Sequence, residues 1–451
     1  MRIAVIGTGY VGLVSGTCFS DFGFDVTCVD KNEAKISRLL KGEIPIYEPG
    51  LDTLVQKNAR LGRLSFTTDL PKAVRDADVV FIAVGTPTRK EDGHADLSYV
   101  YAAAEEIAAN LNGYKVIVTK STVPVGTGKR IAEIIRQANP SGHFDVASNP
   151  EFLREGSAIE DFMHPDRVVV GIENIMAQEV MAKLYQPICG DEIPVLFTDI
   201  ATSELIKYAS NTFLAAKIAF INEMADLCEK VDANVQDVAK GIGMDSRIGS
   251  RFLQPGPGYG GSCFPKDTLA LVKIAQAAGA PSRIIETVVE VNDDRKKRMA
   301  EKIIDAAGGS VEGRNIAVLG LTFKPDTDDM RDSPSLAIVP ELVSAGAKEI
   351  RVYDPEGMKE AKKMLTSDRI VWCEDAYATL PDAHVLVIVT EWNEFRNLDL
   401  KRVARLMNAP VMVDLRNIYN PEDMAEQGFL YVSVGRREAL PETKPQLRLA
   451  A

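Results

Sequence analysis

Arg2-Ile3-Ala4-Val5-Ile6-Gly7-Thr8-Gly9-Tyr10-Val11-Gly12 opens the chain. An apolar strand runs directly into a G-x-G-x-x-G turn, and helical periodicity follows. Gly7 permits the tight turn, Gly9 lets a pyrophosphate touch the backbone, and Gly12 allows close packing of helix on strand. Asp30 ends the next strand, where a carboxylate holds ribose hydroxyls and repels a 2′-phosphate. Together these features read as a dinucleotide fold whose cofactor is NAD. Lys35, one helical turn beyond Asp30, either reaches the adenosine side or is a solvated surface lysine.

Outward from this turn, short apolar runs at 25–29, 79–84, 115–119 and 145–148 alternate with helical stretches. That alternation predicts right-handed crossovers and a mainly parallel sheet, with 167–172 and 195–197 as extensions. From about 199 to 231 helical periodicity runs without Gly or Pro, through Leu205, Tyr208, Phe213, Ala216, Phe220, Met224 and Leu227. The pattern predicts a long, largely buried helix, which serves either as a dimer surface or only as packing within its own chain. Runs at 315–320, 349–353, 384–389, 411–415 and 430–434 then form a second α/β unit. Its turn, Gly320-Leu-Thr-Phe-Lys324-Pro-Asp, lacks the spaced glycines, so a related topology with a different ligand is expected. The fold class is α/β: two Rossmann-like parallel-sheet domains joined by a long central helix.

Composition narrows the function classes. The 451 residues carry a net charge of −12, with 46% hydrophobic and 26% charged residues. An acidic chain has no basic excess to neutralise phosphates, which argues against nucleic acid as partner. Six scattered cysteines and four histidines form no metal-ligand spacing, and separated thiols fit a reducing compartment. The chain opens on a strand and has no long apolar run, so neither a signal peptide nor a membrane span is expected; the expected compartment is the cytoplasm.

Chemistry concentrates in a few segments. Cys263 lies in Gly258-Tyr-Gly260-Gly-Ser-Cys263-Phe-Pro-Lys266-Asp267, where glycines open the backbone around the sulfur and Lys266 favours a thiolate. A hydride acceptor and a thiolate in one chain point to carbonyl oxidation through a thioester. The loops Val84-Gly-Thr86-Pro87 and Lys120-Ser-Thr122-Val-Pro124 follow strands and either contact ligand or are plain turns. In Asn149-Pro-Glu151-Phe152-Leu153-Arg154-Glu155-Gly, Glu151 and Glu155 share one face if the segment is helical; a surface acidic turn is the alternative. Lys207 and Asn211 stand one turn apart on the long helix, as an oxyanion-stabilising lysine and its orienting amide or as a solvated stripe.

Three runs carry a resemblance: Ser148-Asn-Pro-Glu-Phe-Leu153, Pro255-Gly-Pro-Gly-Tyr-Gly-Gly-Ser-Cys-Phe-Pro-Lys-Asp267 and Gly320-Leu-Thr-Phe-Lys-Pro-Asp-Thr-Asp-Asp-Met-Arg331. Over nearly its whole length the chain resembles the UDP-glucose/GDP-mannose dehydrogenases, a family of nucleotide-sugar oxidoreductases. The resemblance implies an NAD-binding domain at 1–198 and a central helical region with the dimer interface and cysteine loop at 199–300. It further implies a UDP-sugar-binding domain at 301–440 and a tail at 441–451. The implied reaction is NAD-dependent four-electron oxidation of UDP-glucose at C6 to UDP-glucuronate, by a homodimer. GDP-mannose and UDP-N-acetylmannosamine are the alternative substrates. A non-catalytic NAD or nucleotide-sugar sensor is the alternative from another class, and the presence of Cys263, Lys207 and Asp267 together weighs against it.

By position, the resemblance implies Cys263 as nucleophile, Lys207 as oxyanion cation, Asp267 with Thr122 and a water for protons, and Glu151 for thioester hydrolysis. NAD positions are implied at Gly7 to Gly12 (with Tyr10 and Val11), Asp30, Lys35, Thr86, Thr122, Glu155, Lys266 and Arg331. Substrate positions are implied at Glu151, Phe152, Leu153, Arg154, Glu155, Lys207 and Asn211. Phe252, Leu253, Gln254, Pro255, Gly256, Gly260, Lys324 and Arg416 are implied likewise. Arg247 matches an arginine that reaches the partner subunit's sugar site.

Overall fold

The computed structural model describes residues 1–89, 92–190 and 192–441, so all but the first residue of the expected tail at 441–451 lies outside the described residues. The chain forms two compact units, one from Met1–Ser210 with Ala270–Pro281 and one from Asn211–Leu269 with the chain from Ser282 onward.

The first unit is built on an eight-stranded sheet. Its strands are β1 (Arg2–Ile6), β2 (Asp25–Val29), β3 (Leu64–Thr67), β4 (Val79–Ile82), β5 (Lys115–Thr119), β6 (Phe144–Ser148), β7 (Val168–Gly171) and β8 (Val195–Thr198). Their order is β3-β2-β1-β4-β5-β6-β7-β8. Val5 at the centre pairs with Cys28 on one side and Phe81 on the other. Ile3 and Val5 enter one apolar cluster while Ala4 and Ile6 enter another, so the period-two pleat buries both faces. Phe19, from the helix Tyr10–Asp21, anchors the first cluster, with ring centroids 5.2 Å from Phe81 and 4.9 Å from Phe162. The sheet is not uniformly parallel, because β7 meets β6 antiparallel and carries β8 with it.

The second unit repeats the order in six parallel strands: β9 (Asn315–Leu319), β10 (Glu349–Tyr353), β11 (Ile370–Trp372), β12 (Val385–Ile388), β13 (Val411–Asp414) and β14 (Leu430–Ser433), arranged β11-β10-β9-β12-β13-β14. The strands β3 and β11 lie outside the runs read from the sequence.

The long helix runs from Ile200 to Val231 as expected, but it is not largely buried. Tyr208, Ala215, Ile221 and Ala225 are buried, whereas Leu205, Phe213, Phe220 and Leu227 are exposed. The apolar periodicity contains two stripes, and Phe213, Phe220 and Leu227 repeat at heptad spacing as an interface stripe does. Periodicity alone cannot separate such a stripe from a core face.

The two units handle the same acidic strand end differently. Asp30 after β2 accepts from Thr8 N at 3.0 Å and Thr8 Oγ1 at 2.7 Å. Asp354 after β10 accepts from Thr322 N at 3.0 Å and Thr322 Oγ1 at 3.1 Å, and also from Leu321 N, Gly357 N and the Trp392 indole. Asp354 is fully buried while the Asp30 side chain keeps 18% of its surface. Asp354 is therefore structural and Asp30 is available to a ligand. Asp354→Ala leaves several donors unsatisfied and is expected to destabilise the protein by roughly 3 kcal/mol or more. Asp30→Ala costs less, since its donors reach water; chemical denaturation of the two variants measures the difference, and equal losses would contradict this account.

Candidate active site

The glycine turn of the first unit has the geometry its spacing predicts. Gly7 takes φ 103° and donates to Val29 O at 2.7 Å. A Cβ on Gly12 would collide with the Gly7 carbonyl, whereas a Cβ on Gly9 would meet nothing within 4 Å. Gly9 thus faces the open space that a pyrophosphate needs, and the residues present fit NAD. Partial burial pushes the Asp30 carboxyl upward, but N–H donors from Asn32 and Thr8, the Thr8 hydroxyl and Lys35 outweigh it and hold the group below the usual range. Lys35 lies 3.2 Å from Asp30 Oδ2, so its position is set by that carboxylate. Tyr10 donates its hydroxyl to Glu48, which also accepts from Gly156 N at 2.7 Å and Ala158 N at 2.8 Å. Thr86 Oγ1 donates to Thr122 O at 2.9 Å and joins the two candidate loops.

Residues 149–156 are not helical, so the shared-face argument for Glu151 and Glu155 fails. Glu151 Oε2 turns back to accept from Leu153 N at 2.6 Å. Its other oxygen lies 3.3 Å from Lys207 Nζ, and both side chains are buried. Lys207 is therefore not part of a solvated stripe. Phe152 lies beneath the Lys207 ammonium at 5.3 Å and the Arg167 guanidinium at 4.0 Å. Arg154 directs its guanidinium to Asp161, Nη2 to Oδ1 at 2.6 Å, which occupies the charge expected to meet a substrate.

In the second unit Cys263 immediately precedes the helix Phe264–Ala277, and its carbonyl accepts from Asp267 N at 2.8 Å. Helix starts favour thiolates, and this placement supplies that support. Lys266 has a different partner than expected: its ammonium lies 2.6 Å from Asp267 Oδ1. Asn211 Nδ2 donates to Asp267 Oδ2 at 2.6 Å, so the buried carboxylate is held from two sides. Gly261 N donates to Arg331 O at 2.7 Å, and a Cβ there would lie 2.7 Å from the Phe323 ring.

The remaining substrate candidates belong to the same unit. Phe252 holds φ 65°, a strained value for a non-glycine residue. Leu253, Pro255, Gly256 and Gly260 are buried and Gln254 is exposed. Arg416 donates Nη2 to Phe323 O at 2.8 Å and pairs with Glu391 at 3.0 Å. Lys324 Nζ stands 5.6 Å from the Phe323 ring centroid, and Arg331 pairs with Asp329 at 2.8 Å. Arg247 projects from the surface, its side chain 87% exposed and paired with Asp245.

Residues 1–189 match the NAD binding domain of the UDP-glucose/GDP-mannose dehydrogenase family, residues 201–294 its central domain and residues 317–421 its UDP binding domain. The chain belongs to the UDP-glucose/GDP-mannose dehydrogenase family. It is 62% identical over 97% of its length to the whole of a Rhizobium meliloti protein named UDP-glucose 6-dehydrogenase. A UDP-glucose dehydrogenase structure from Pyrobaculum islandicum is 37% identical with a TM-score of 0.88, covering 97% of this chain and 98% of that one. A UDP-D-ManNAc dehydrogenase structure from Pyrococcus horikoshii is 27% identical with a TM-score of 0.83, covering 97% and 99%. The NAD binding match falls on the eight-stranded sheet of the first unit, and the UDP binding match falls on the six-stranded sheet of the second.

Sequence reasoning did not single out the polar residues that hold these segments. In the second unit, Asn222 accepts from Gly256 N at 2.8 Å, Arg295 donates to Gly256 O at 2.6 Å, and Asn292 accepts from Tyr259 N at 2.8 Å. In the first, Lys120 Nζ is buried against Asn149 Oδ1 at 3.0 Å and Tyr185 Oη at 3.3 Å. A lysine directly after an apolar strand was the available signal. Burial drives the Lys120 ammonium down to about 8, with Glu151 opposing the fall and Lys207 adding to it. The unfolded chain holds this proton more tightly, so wild-type stability rises with pH between about 8 and 10.5. Lys120→Met removes that dependence. The stability of this variant relative to wild type is expected to fall across that window, by roughly 3 kcal/mol, in denaturant titrations at successive pH values.

Proposed function

We propose that the chain is an NAD-dependent UDP-glucose 6-dehydrogenase that forms UDP-glucuronate. The observation that carries this reading is the Cys263 loop, with its thiol at a helix start and Asp267 held by Asn211 and Lys266. The full-length 62% identity to a protein of that name supports UDP-glucose over GDP-mannose or UDP-N-acetylmannosamine.

NAD, when bound along Gly7–Gly12 and Asp30, supplies the acceptor for two hydrides from C6 of the sugar. Asp267, with Thr122 and a water, removes the proton of the C6 hydroxyl. Lys207 stabilises negative charge on the C6 oxygen. Cys263 adds to the aldehyde carbon as a thiohemiacetal, so the half-oxidised sugar stays attached, and then carries it as a thioester. Glu151 assists water in cleaving the C–S bond, which releases the acid and restores the thiol. The sum is UDP-glucose, water and two oxidised NAD converted to UDP-glucuronate, two NADH and three protons.

The nucleotide and sugar fall to the segment 151–155, Lys207, Asn211, the loop 252–256, Gly260, Lys324 and Arg416, while Thr86, Glu155, Lys266 and Arg331 complete the cofactor contacts. The proposed division is an NAD-binding region at 1–198, a central region at 199–300 and a UDP-sugar region at 301–440. The exposed Phe213, Phe220 and Leu227 stripe supports a homodimer in which Arg247 serves the partner's site. Among the described residues no helix is long and apolar enough to cross a membrane. A chain whose reactive centre is a thiol works in a reducing cytoplasm, the compartment proposed here.

Two NADH per UDP-glucose, and far slower turnover of GDP-mannose or UDP-N-acetylmannosamine, is the expected stoichiometry and preference. Absence of turnover with all three would overturn the reading. Cys263→Ala is expected to bind NAD normally, by fluorescence titration, and to yield no UDP-glucuronate; normal acid formation would remove the thioester from the mechanism.

A further inference from the structure

Glu204 is an acid whose burial the proposed chemistry does not use. It lies in the first turns of the helix Ile200–Val231, keeps 2% of its surface, and points at another helix start in the same unit. Gly126 N donates to its Oε2 at 2.6 Å and Gly128 N to its Oε1 at 2.7 Å. The helix Thr127–Ala138 begins after Gly126, which has no side chain to cap it. Glu204 supplies that cap from a distant part of the chain.

The neighbours of this clamp bear proposed functional groups. The capped helix ends the loop that carries Thr122; Thr127 Oγ1 donates to Pro124 O at 2.6 Å and closes that loop. At the loop's other end Ser121 Oγ donates to Val84 O at 2.7 Å, and Thr122 O accepts from Thr86. On the long helix, Lys207 follows Glu204 by three residues, on the same side, and meets Glu151. Ser203, beside Glu204, donates to Ser148 O at 3.2 Å at the end of β6. A Cβ on Gly128 would lie 2.6 Å from Ile200 Cγ2 and 3.2 Å from Glu204 Oε1, so the close approach needs glycine at this position.

We propose that Glu204 is a positioning residue: by gripping Gly126 N and Gly128 N it sets the height of the Thr122 loop relative to Lys207 and Glu151. Burial pushes its carboxyl up to about 7 against the pull of the two N–H donors, as expected of a carboxylate with little other solvation. The proposal rests on the dehydrogenase reading for the roles of Thr122 and Lys207, but the clamp itself does not. The clamp acts on geometry near the reacting atoms, where misplacement by an ångström lowers rates up to about a hundredfold.

Glu204→Gln is close in size and retains one acceptor, Glu204→Ala retains none, and Gly128→Ala pushes the helix away while leaving the carboxylate in place. Steady-state assays with UDP-glucose and NAD, corrected for folded enzyme, are expected to show kcat falling in the order Gln, then Ala, roughly tenfold or more for Ala. KM for UDP-glucose changes much less, and Gly128→Ala reproduces the same split. Amide exchange at Gly126 and Gly128 speeds up in Glu204→Ala. Wild-type kcat in Glu204→Ala and Gly128→Ala, with only the melting temperature lowered, would overturn the proposal and leave Glu204 a plain helix cap. Unchanged amide exchange would overturn the clamp itself. Failure of the functional reading is distinguishable, because the wild-type enzyme would then be inactive while the exchange difference persists.

Discussion

The ion pair between Lys207 and Glu151 is the interaction on which the chemistry proposed for the first unit depends. Both side chains are nearly sealed from solvent, so neither charge is tolerable without the other. Removing one partner of such a pair typically costs about 3–5 kcal/mol, because the charge left behind is buried and uncompensated. The second Glu151 oxygen accepts from Leu153 N, and the Phe152 ring lies under the ammonium. The pair therefore fixes the start of the long helix against the segment after β6. It also holds the two charges with proposed catalytic roles at a definite separation before any ligand arrives, which is the preorganisation that electrostatic catalysis requires.

The two sheets share a strand order and an acidic residue after the second strand, but they have parted in what that residue does. Asp30 keeps surface and is balanced by Lys35, so it can exchange one partner for a ribose diol. Asp354 is enclosed by backbone donors and the Trp392 indole and holds its own turn together. Repetition of a topology thus does not repeat a binding site. The deciding difference is the solvation of one carboxylate.

Much of this was legible in the sequence where the determinants are local. The glycine turn and the alternation of strands with crossover helices depend on neighbouring residues, and so they read correctly from short runs. The helix over 200–231 was legible as a helix but not as one with an exposed apolar stripe, because Phe213 and Phe220 repeat with nearly the spacing of core residues. Glu151 and Glu155 misled because a spacing of four has meaning only in a helix, and 149–156 do not form one. The supporting shell was not legible: Glu204 meets Gly128 across 76 residues, Asn292 meets Tyr259 across 33, and Lys120 meets Asn149 across 29. No periodicity links such partners, since the fold alone brings them together.

The distribution of thiols has a consequence for how the protein ages. Burial raises the pKa of Cys18, Cys28, Cys189, Cys228 and Cys373, which keeps those five sulfurs protonated and slow to react. Cys263 alone stands at a helix start in a partly open loop. Peroxide or an electrophile thus meets one reactive sulfur before any other, and its first product, a sulfenic acid, is reversible by thiol reductants. With Cys263 in its proposed role, such oxidation silences the enzyme while leaving its core intact, a loss recoverable by reduction rather than refolding.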